Sequence, residues 1–211
     1  MRFAPRRAAA TRCGAGRRDT ITGVTTILVP DPSLVLLIGA AGAGKTTFAA
    51  RHFAPDEVLS SDAYRALVSG DEANQAVSHV AFRILHRDLE RRLAAGLLTV
   101  IDATNASPRN RAQLIARAGA ASVPVVALVL ALPESVVLAR NAMRSRSVDE
   151  DVVRRQLEQV AAAGGDGVLT GEGCATVSIL RTPDAVEAVT VARLPARGAP
   201  VLSPNPPPRP Q

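Results

Sequence analysis

Lysine is almost missing from this chain: 24 arginines carry its positive charge and Lys45 is the single lysine. Aromatics are nearly as scarce, at 2% with no Trp and one Tyr, so a core must come from Ala, Val, Leu and Ile. The two cysteines, Cys13 and Cys174, have no CxxC spacing, which excludes a disulfide framework and a cysteine zinc site. No apolar run approaches the ~20 residues of a membrane span, and the Arg-rich start lacks the apolar stretch of a signal peptide. A reduced, cytoplasmic setting is the expectation.

The chain has 211 residues, 47% of them hydrophobic, enough for one domain with a substantial core. Its formal charge of +6 points to a nucleic-acid binder until the charge is located. Residues 1–20 carry six arginines against Asp19, and Arg197 and Arg209 fall in 195–211, which leaves a net −1 on 21–194. The basic character belongs to the ends and says little about what the body binds. Residues 1–24 read as a basic, disordered extension, 25–194 as the domain, and 195–211 as a Pro-rich disordered tail.

Within the body, strand-like and helix-like segments alternate. Apolar strands are expected at 34–38, 58–60, 97–101, 125–130 and 176–180. Helices are expected at 44–53, 62–68, 74–95, 108–118, 133–141, 151–162 and 183–188. Strands apolar throughout, alternating with helices, predict an α/β fold: a parallel sheet of about five strands covered on both faces.

Residues 39–46, Gly-Ala-Ala-Gly-Ala-Gly-Lys-Thr, fit GxxxxGK[ST] at every fixed position, between a buried strand and a helix. Glycines let backbone N–H groups converge on phosphate oxygens, and the helix N-terminus adds partial positive charge. Gly39, Gly42, Ala43, Gly44, Lys45, Thr46 and Thr47 are therefore the expected nucleotide-binding residues. Lys45 would reach the β- and γ-phosphates of ATP, and Thr46 would ligate Mg²⁺.

Three further clusters extend the site. Asp62 follows a strand at the sheet edge where ligands bind, and Arg65 lies one helical turn on. The pair could deprotonate an acceptor hydroxyl and hold its phosphate; the same spacing suits an N-cap aspartate with an i, i+3 ion pair. Asp102 ends the third strand, where a carboxylate orders Mg²⁺, the last through water, or simply closes a turn. Arg140, Arg144 and Arg146, followed by Arg154 and Arg155, suit a lid over a triphosphate or a solvated basic face. His52, His79 and His86 have no metal-ligand pattern around them. Arg83 and Arg87 could track an acceptor strand or face solvent, and Tyr64 could stack on an acceptor base.

Residues 30–65, 97–105 and 140–156, in this order and spacing, resemble the kinase domain of bacterial polynucleotide kinase-phosphatase. This is the 5′-OH polynucleotide kinase module, similar to bacteriophage polynucleotide kinase, within the broad group of AAA-type ATP-binding proteins. The stretches Leu59-Ser60-Ser61-Asp62, Leu67-Val68-Ser69-Gly70-Asp71-Glu72-Ala73-Asn74-Gln75 and Val152-Val153-Arg154-Arg155-Gln156 are more specific than the glycine loop. The likeness covers about 30–194.

The resemblance implies Lys45 and Thr46 on the triphosphate and Mg²⁺, Asp62 as general base, and Arg65 as clamp on the acceptor's phosphate. It makes Arg140 and Arg144 lid arginines, with Arg146 a weaker candidate, and puts 176–192 near the adenine. The glycine loop departs in being Ala-rich, with Thr46 where relatives often have Ser. The lid lacks an aromatic-glycine pair, and no phosphatase is expected after about 194. The expected function is ATP-dependent phosphoryl transfer to a hydroxyl, with a polynucleotide 5′-OH first among acceptors. A small alcohol, or a non-catalytic ATP-binding module, are the alternatives.

Overall fold

The computed structural model describes residues 20–21, 24–72 and 74–195. The basic extension and the Pro-rich tail read from sequence lie mostly outside these residues. Five strands form one parallel sheet: β3 (Leu34–Ile38), β4 (Val58–Ser60), β5 (Thr99–Asp102), β6 (Val125–Leu130) and β7 (Thr176–Leu180), in the order β4-β5-β3-β6-β7. Every residue of β3, β5 and β6 is buried, as continuous apolar runs in a doubly covered parallel sheet require.

Side chains alternate across the pleat, so β3 feeds two cores. Val35 and Leu37 pack with Phe48 of α1 (Lys45–His52), Val137 of α5 (Glu134–Ala142), Val153 of α6 (Glu150–Ala163) and Val186 of α8 (Pro183–Ala188). Leu34, Leu36 and Ile38 face the other way. They join Leu85, Leu89 and Leu93 of α3 (Ser78–Ala94), Leu114 and Ala118 of α4 (Pro108–Ala120) and Leu169 of α7 (Val168–Gly171). The remaining helix, α2 (Ser61–Ser69), starts directly from β4 and packs on α3.

The elements expected from sequence are present with small shifts. The helix expected over 74–95 starts at Ser78, after a 3₁₀ turn at Gln75–Val77 in which Asn74 Oδ1 accepts from Ala76 N–H. The third strand starts two residues late and includes Asp102, because Leu97 is exposed while Thr99 is fully buried.

The second, small sheet was not foreseen. In it β2 (Val24–Asp31) pairs antiparallel with β1 (Thr20–Ile21) and parallel with β8 (Thr190–Pro195). It buries Ile27 and Val29 in the first core, beside Val189. With β3 central and β5 and β6 on either side, the chain turns to opposite directions at the carboxyl end of β3. The glycine loop sits at this switch point.

Candidate active site

The loop after β3 is shaped by two residues in the left-handed region, Gly42 at φ 86° and Gly44 at φ 90°. A Cβ at Gly42 would lie 2.7 Å from the Val137 carbonyl oxygen and 3.1 Å from Asn141 N, so glycine there lets the loop press against α5. The loop is tied down elsewhere. Gly39 N–H donates to Thr104 O at 3.1 Å, Ala43 N–H to Ala40 O at 3.1 Å, and Ala41 N–H to Gln156 Oε1 at 2.8 Å.

Gly42, Gly44, Lys45, Thr46 and Thr47 line a cavity of about 990 Å³. Gly39 and Ala43, also expected at the nucleotide, stand behind its wall. Ala43 is fully buried in the core, and both amides are engaged within the fold, so these two residues contribute the loop's shape.

Lys45 as a residue is only half-buried, but its ammonium sits inside the loop. There Nζ donates to Gly39 O and Ala40 O, each at 2.9 Å. Burial lowers its pKa to about 8, with Arg144 pushing the same way and Asp102 and Asp62 opposing. Thr46 Oγ1 donates to Asp102 Oδ2 at 2.8 Å. Burial raises the Asp102 carboxyl above the ordinary range, while the Thr46 bond and Lys45 hold it down.

These residues fit a triphosphate with a divalent cation. A convergent loop, an ammonium held by loop carbonyls, and a hydroxyl against a carboxylate are a donor set that suits a hard divalent cation completed by phosphate and water oxygens. Among the described residues no group of three or more His, Cys, Asp or Glu forms a metal cage by itself.

Asp62, in the first turn of α2, lines the same cavity with its side chain half exposed. Ser61 Oγ donates to its Oδ1 at 3.2 Å, and Arg65 Nη2 makes a short ion pair with the same oxygen. Arg65 is buried, its side chain 10% exposed, and its Nε donates to Glu72 O at 2.6 Å. It is thus a strut for Asp62 and for the segment after α2, more than an outstretched clamp. Tyr64 points away: its hydroxyl donates to Asp88 at 2.7 Å and its ring packs on the second core. The aromatics that line the cavity are Phe48 and Phe82.

The arginines after α5 divide. Arg140, Arg144 and Arg146 line the cavity, with Arg140 Nη1 3.7 Å from where a Gly44 Cβ would stand. Arg146 reaches Asp71 across the mouth at 3.6 Å. Arg154 and Arg155 are not part of such a lid, contrary to the expectation from their spacing. Arg154 is engaged by Glu134, Glu150 and Asp151, and Arg155 donates to Asp151 O, because α6 turns these positions outward.

The loop between α5 and α6 is closed by Asn141, buried, which donates to Val148 O at 2.7 Å and accepts from Val148 N–H at 3.1 Å. At the far end of the cavity Val186 and Glu187 of α8 form the wall, Glu187 paired with Arg51 at 2.7 Å.

Three contributors were missed in the sequence. Gln156 was quoted in a motif without a role. Asn105, at φ 46°, donates through Nδ2 to Leu37 O at 2.8 Å and Ile101 O at 3.3 Å, clamping the ends of β3 and β5. Arg111, 1% exposed, holds Asn105 O and Ala106 O and makes a two-bond ion pair with Glu172 at 2.6–2.7 Å. The Asp102-Ala103-Thr104-Asn105 run offered a signal, since asparagine tolerates positive φ. An arginine in an amphipathic helix offered none.

The family model for the AAA domain matches residues 34–163, more than half of the chain, and the chain belongs to this family as a P-loop kinase-like domain. Among solved structures, it is similar to a chain of the Pnkp1/Rnl/Hen1 RNA repair complex, at 19% identity and a TM-score of 0.54 over 64% of this chain and 45% of that one. This chain therefore spans less than half the length of that relative. A candidate kinase from Chloroflexus aurantiacus j-10-fl shares 17% identity at a TM-score of 0.50, over 72% of this chain and 88% of that one. A chain of the PezAT toxin–antitoxin system of Streptococcus pneumoniae shares 11% at 0.51, over 72% and 68%. At these identities the likeness is one of fold. No curated protein matches the sequence. No helix among the described residues is long and apolar enough to cross a membrane.

Proposed function

We propose that the protein transfers the γ-phosphoryl group of ATP, bound with Mg²⁺, to a hydroxyl, and that this hydroxyl is the 5′-OH of a polynucleotide. The observation that carries the reading is the meeting of two halves in one cavity: Lys45, Thr46 and Asp102 at one side, Asp62 buttressed by buried Arg65 at the other. A fold shared with a chain of an RNA repair complex adds support for the acceptor.

In this reading Lys45 leaves its loop carbonyls for the phosphates and regains full charge beside them. Thr46 and Asp102 are the residues that would hold the cation, which spreads the charge developing on the phosphates. Asp62 takes the proton of the attacking hydroxyl as its oxygen bonds to the γ-phosphorus and the bond to the β-phosphate oxygen breaks, releasing ADP. Arg65 keeps the Asp62 carboxylate aimed into the cavity. Arg140 and Arg144 neutralise the transferring group.

The test is label transfer from ATP carrying a labelled γ-phosphate to 5′-OH RNA and DNA oligonucleotides and, separately, to a panel of small alcohols. Label on oligonucleotides that is abolished by Lys45→Ala is the expected result. Label only on alcohols would make the protein a small-molecule kinase, and ATP binding without transfer to any acceptor would leave a nucleotide-binding module.

A further inference from the structure

A second groove of about 360 Å³ lies between α3 and α4 and shares Phe82, Asn105 and Asn110 with the main cavity, so the two are continuous. Its charged lining is all of one sign. Arg83 comes from α3 and Arg109 from α4, with no Asp or Glu along the wall. Neither arginine makes an ion pair with a described residue, whereas Arg91 and Arg117 on the same two helices pair with Asp88 and Glu90. Phe82, half-buried, stands at the junction, and His86 packs beside it with ring centroids 6.1 Å apart. Burial, with Arg117, lowers the His86 pKa below its ordinary value against the opposing pull of Glu90.

Unpaired guanidiniums from two helices, an aromatic face and side-chain amides of Asn110 and Gln113 are what a nucleotide needs: phosphate, base face and base edge. The volume suits about one nucleotide. Asp62, by contrast, belongs to the main cavity alone.

We infer that this groove is an acceptor subsite of a single-stranded polynucleotide, seating the nucleotide on the 3′ side of the one that presents its 5′-OH to Asp62. Arg83 and Arg109 hold the phosphodiester between the two nucleotides and Phe82 stacks on the base. The inference rests on the proposed polynucleotide acceptor and adds where that strand runs. It also explains how a body of net charge −1 over 21–194 could hold a polyanion: the cations are local to the groove.

The test measures binding of a 3′-labelled 5′-OH hexanucleotide by fluorescence anisotropy, with transfer kinetics alongside. The variants are R83A/R109A, F82L and the charge-matched control R155A/R181A, whose two arginines line neither cavity. The double groove variant should raise both Kd and KM for the strand about tenfold or more and leave the KM for ATP unchanged. Its salt dependence should fall by about 0.7 in slope, one phosphate fewer. F82L should weaken binding roughly fivefold or more, as loss of base stacking does.

If wild type labels strands but R83A/R109A behaves like the control, the groove assignment is overturned and the kinase reading stands. If strands bind with this arginine dependence yet accept no label, the groove stands and the reading of the reaction falls. If wild type neither binds nor labels strands, both fall.

Discussion

Lys45 shows how one residue couples the fold to its ligand. With its pKa lowered to about 8, the folded chain releases a proton that the unfolded chain keeps up to about 10.5. The unfolded state then binds more protons between these values, so the lysine's penalty is fully present below pH 8 and stability from this group rises with pH through the window. A bound triphosphate reverses the shift. Titration calorimetry of ATP at pH 8.5 in buffers of different ionisation enthalpy should find uptake of roughly three-quarters of a proton, absent in Lys45→Met. Gly42→Ala makes a second residue-scale prediction. Its Cβ would meet the Val137 carbonyl at 2.7 Å in a left-handed backbone, so ATP binding should fall below detection while the far-ultraviolet spectrum is kept.

At the scale of elements, the loops at the carboxyl ends of the strands are held by buried polar side chains, and these were the least legible part of the sequence. Arg111 anchors the loop after β5 from α4, with Glu172 from the end of α7. Arg111→Ala leaves the Glu172 carboxylate and two loop carbonyls without their partner. The expected cost is about 3 kcal/mol, read as a melting temperature lower by roughly 6–12 °C. Asn141→Ala should free the loop between α5 and α6, raising the KM for ATP with a smaller effect on stability, because both bonds it removes are to Val148 in that loop.

The strands of the main sheet and the glycine loop were readable because their signals are local: apolar runs, a fixed motif spacing, a strand before it and a helix after. Asp62 was legible in place, but the burial of Arg65 was not, since i, i+3 spacing does not say which way a helix face points. Strands β2 and β8 were missed for another reason. The run Thr25-Thr26-Ile27-Leu28-Val29-Pro30 shows no polar–apolar alternation, although Ile27 and Val29 are buried and Leu28 is exposed, and its partner lies about 160 residues away, so neither periodicity nor neighbourhood revealed the pairing.

At the scale of the whole molecule, the sheet sets both halves of the site on one edge. Nucleotide binding to the loop should stabilise the fold by mass action, and the shift should grow with ligand concentration. A thermal scan with millimolar ATP and Mg²⁺ should raise the melting temperature of wild type and not that of Lys45→Ala.

The central claim is that the aspartate at the start of α2 takes the acceptor's proton in the cavity where Lys45 grips the donor. Single-turnover transfer of labelled γ-phosphate to a 5′-OH oligonucleotide, comparing wild type with Asp62→Asn, tests it most directly. The account predicts transfer slower by about 10²–10⁴-fold with the Kd for ATP within about twofold, since Asp62 is not among the groups proposed to hold the phosphates. Transfer by Asp62→Asn at the wild-type rate would contradict it.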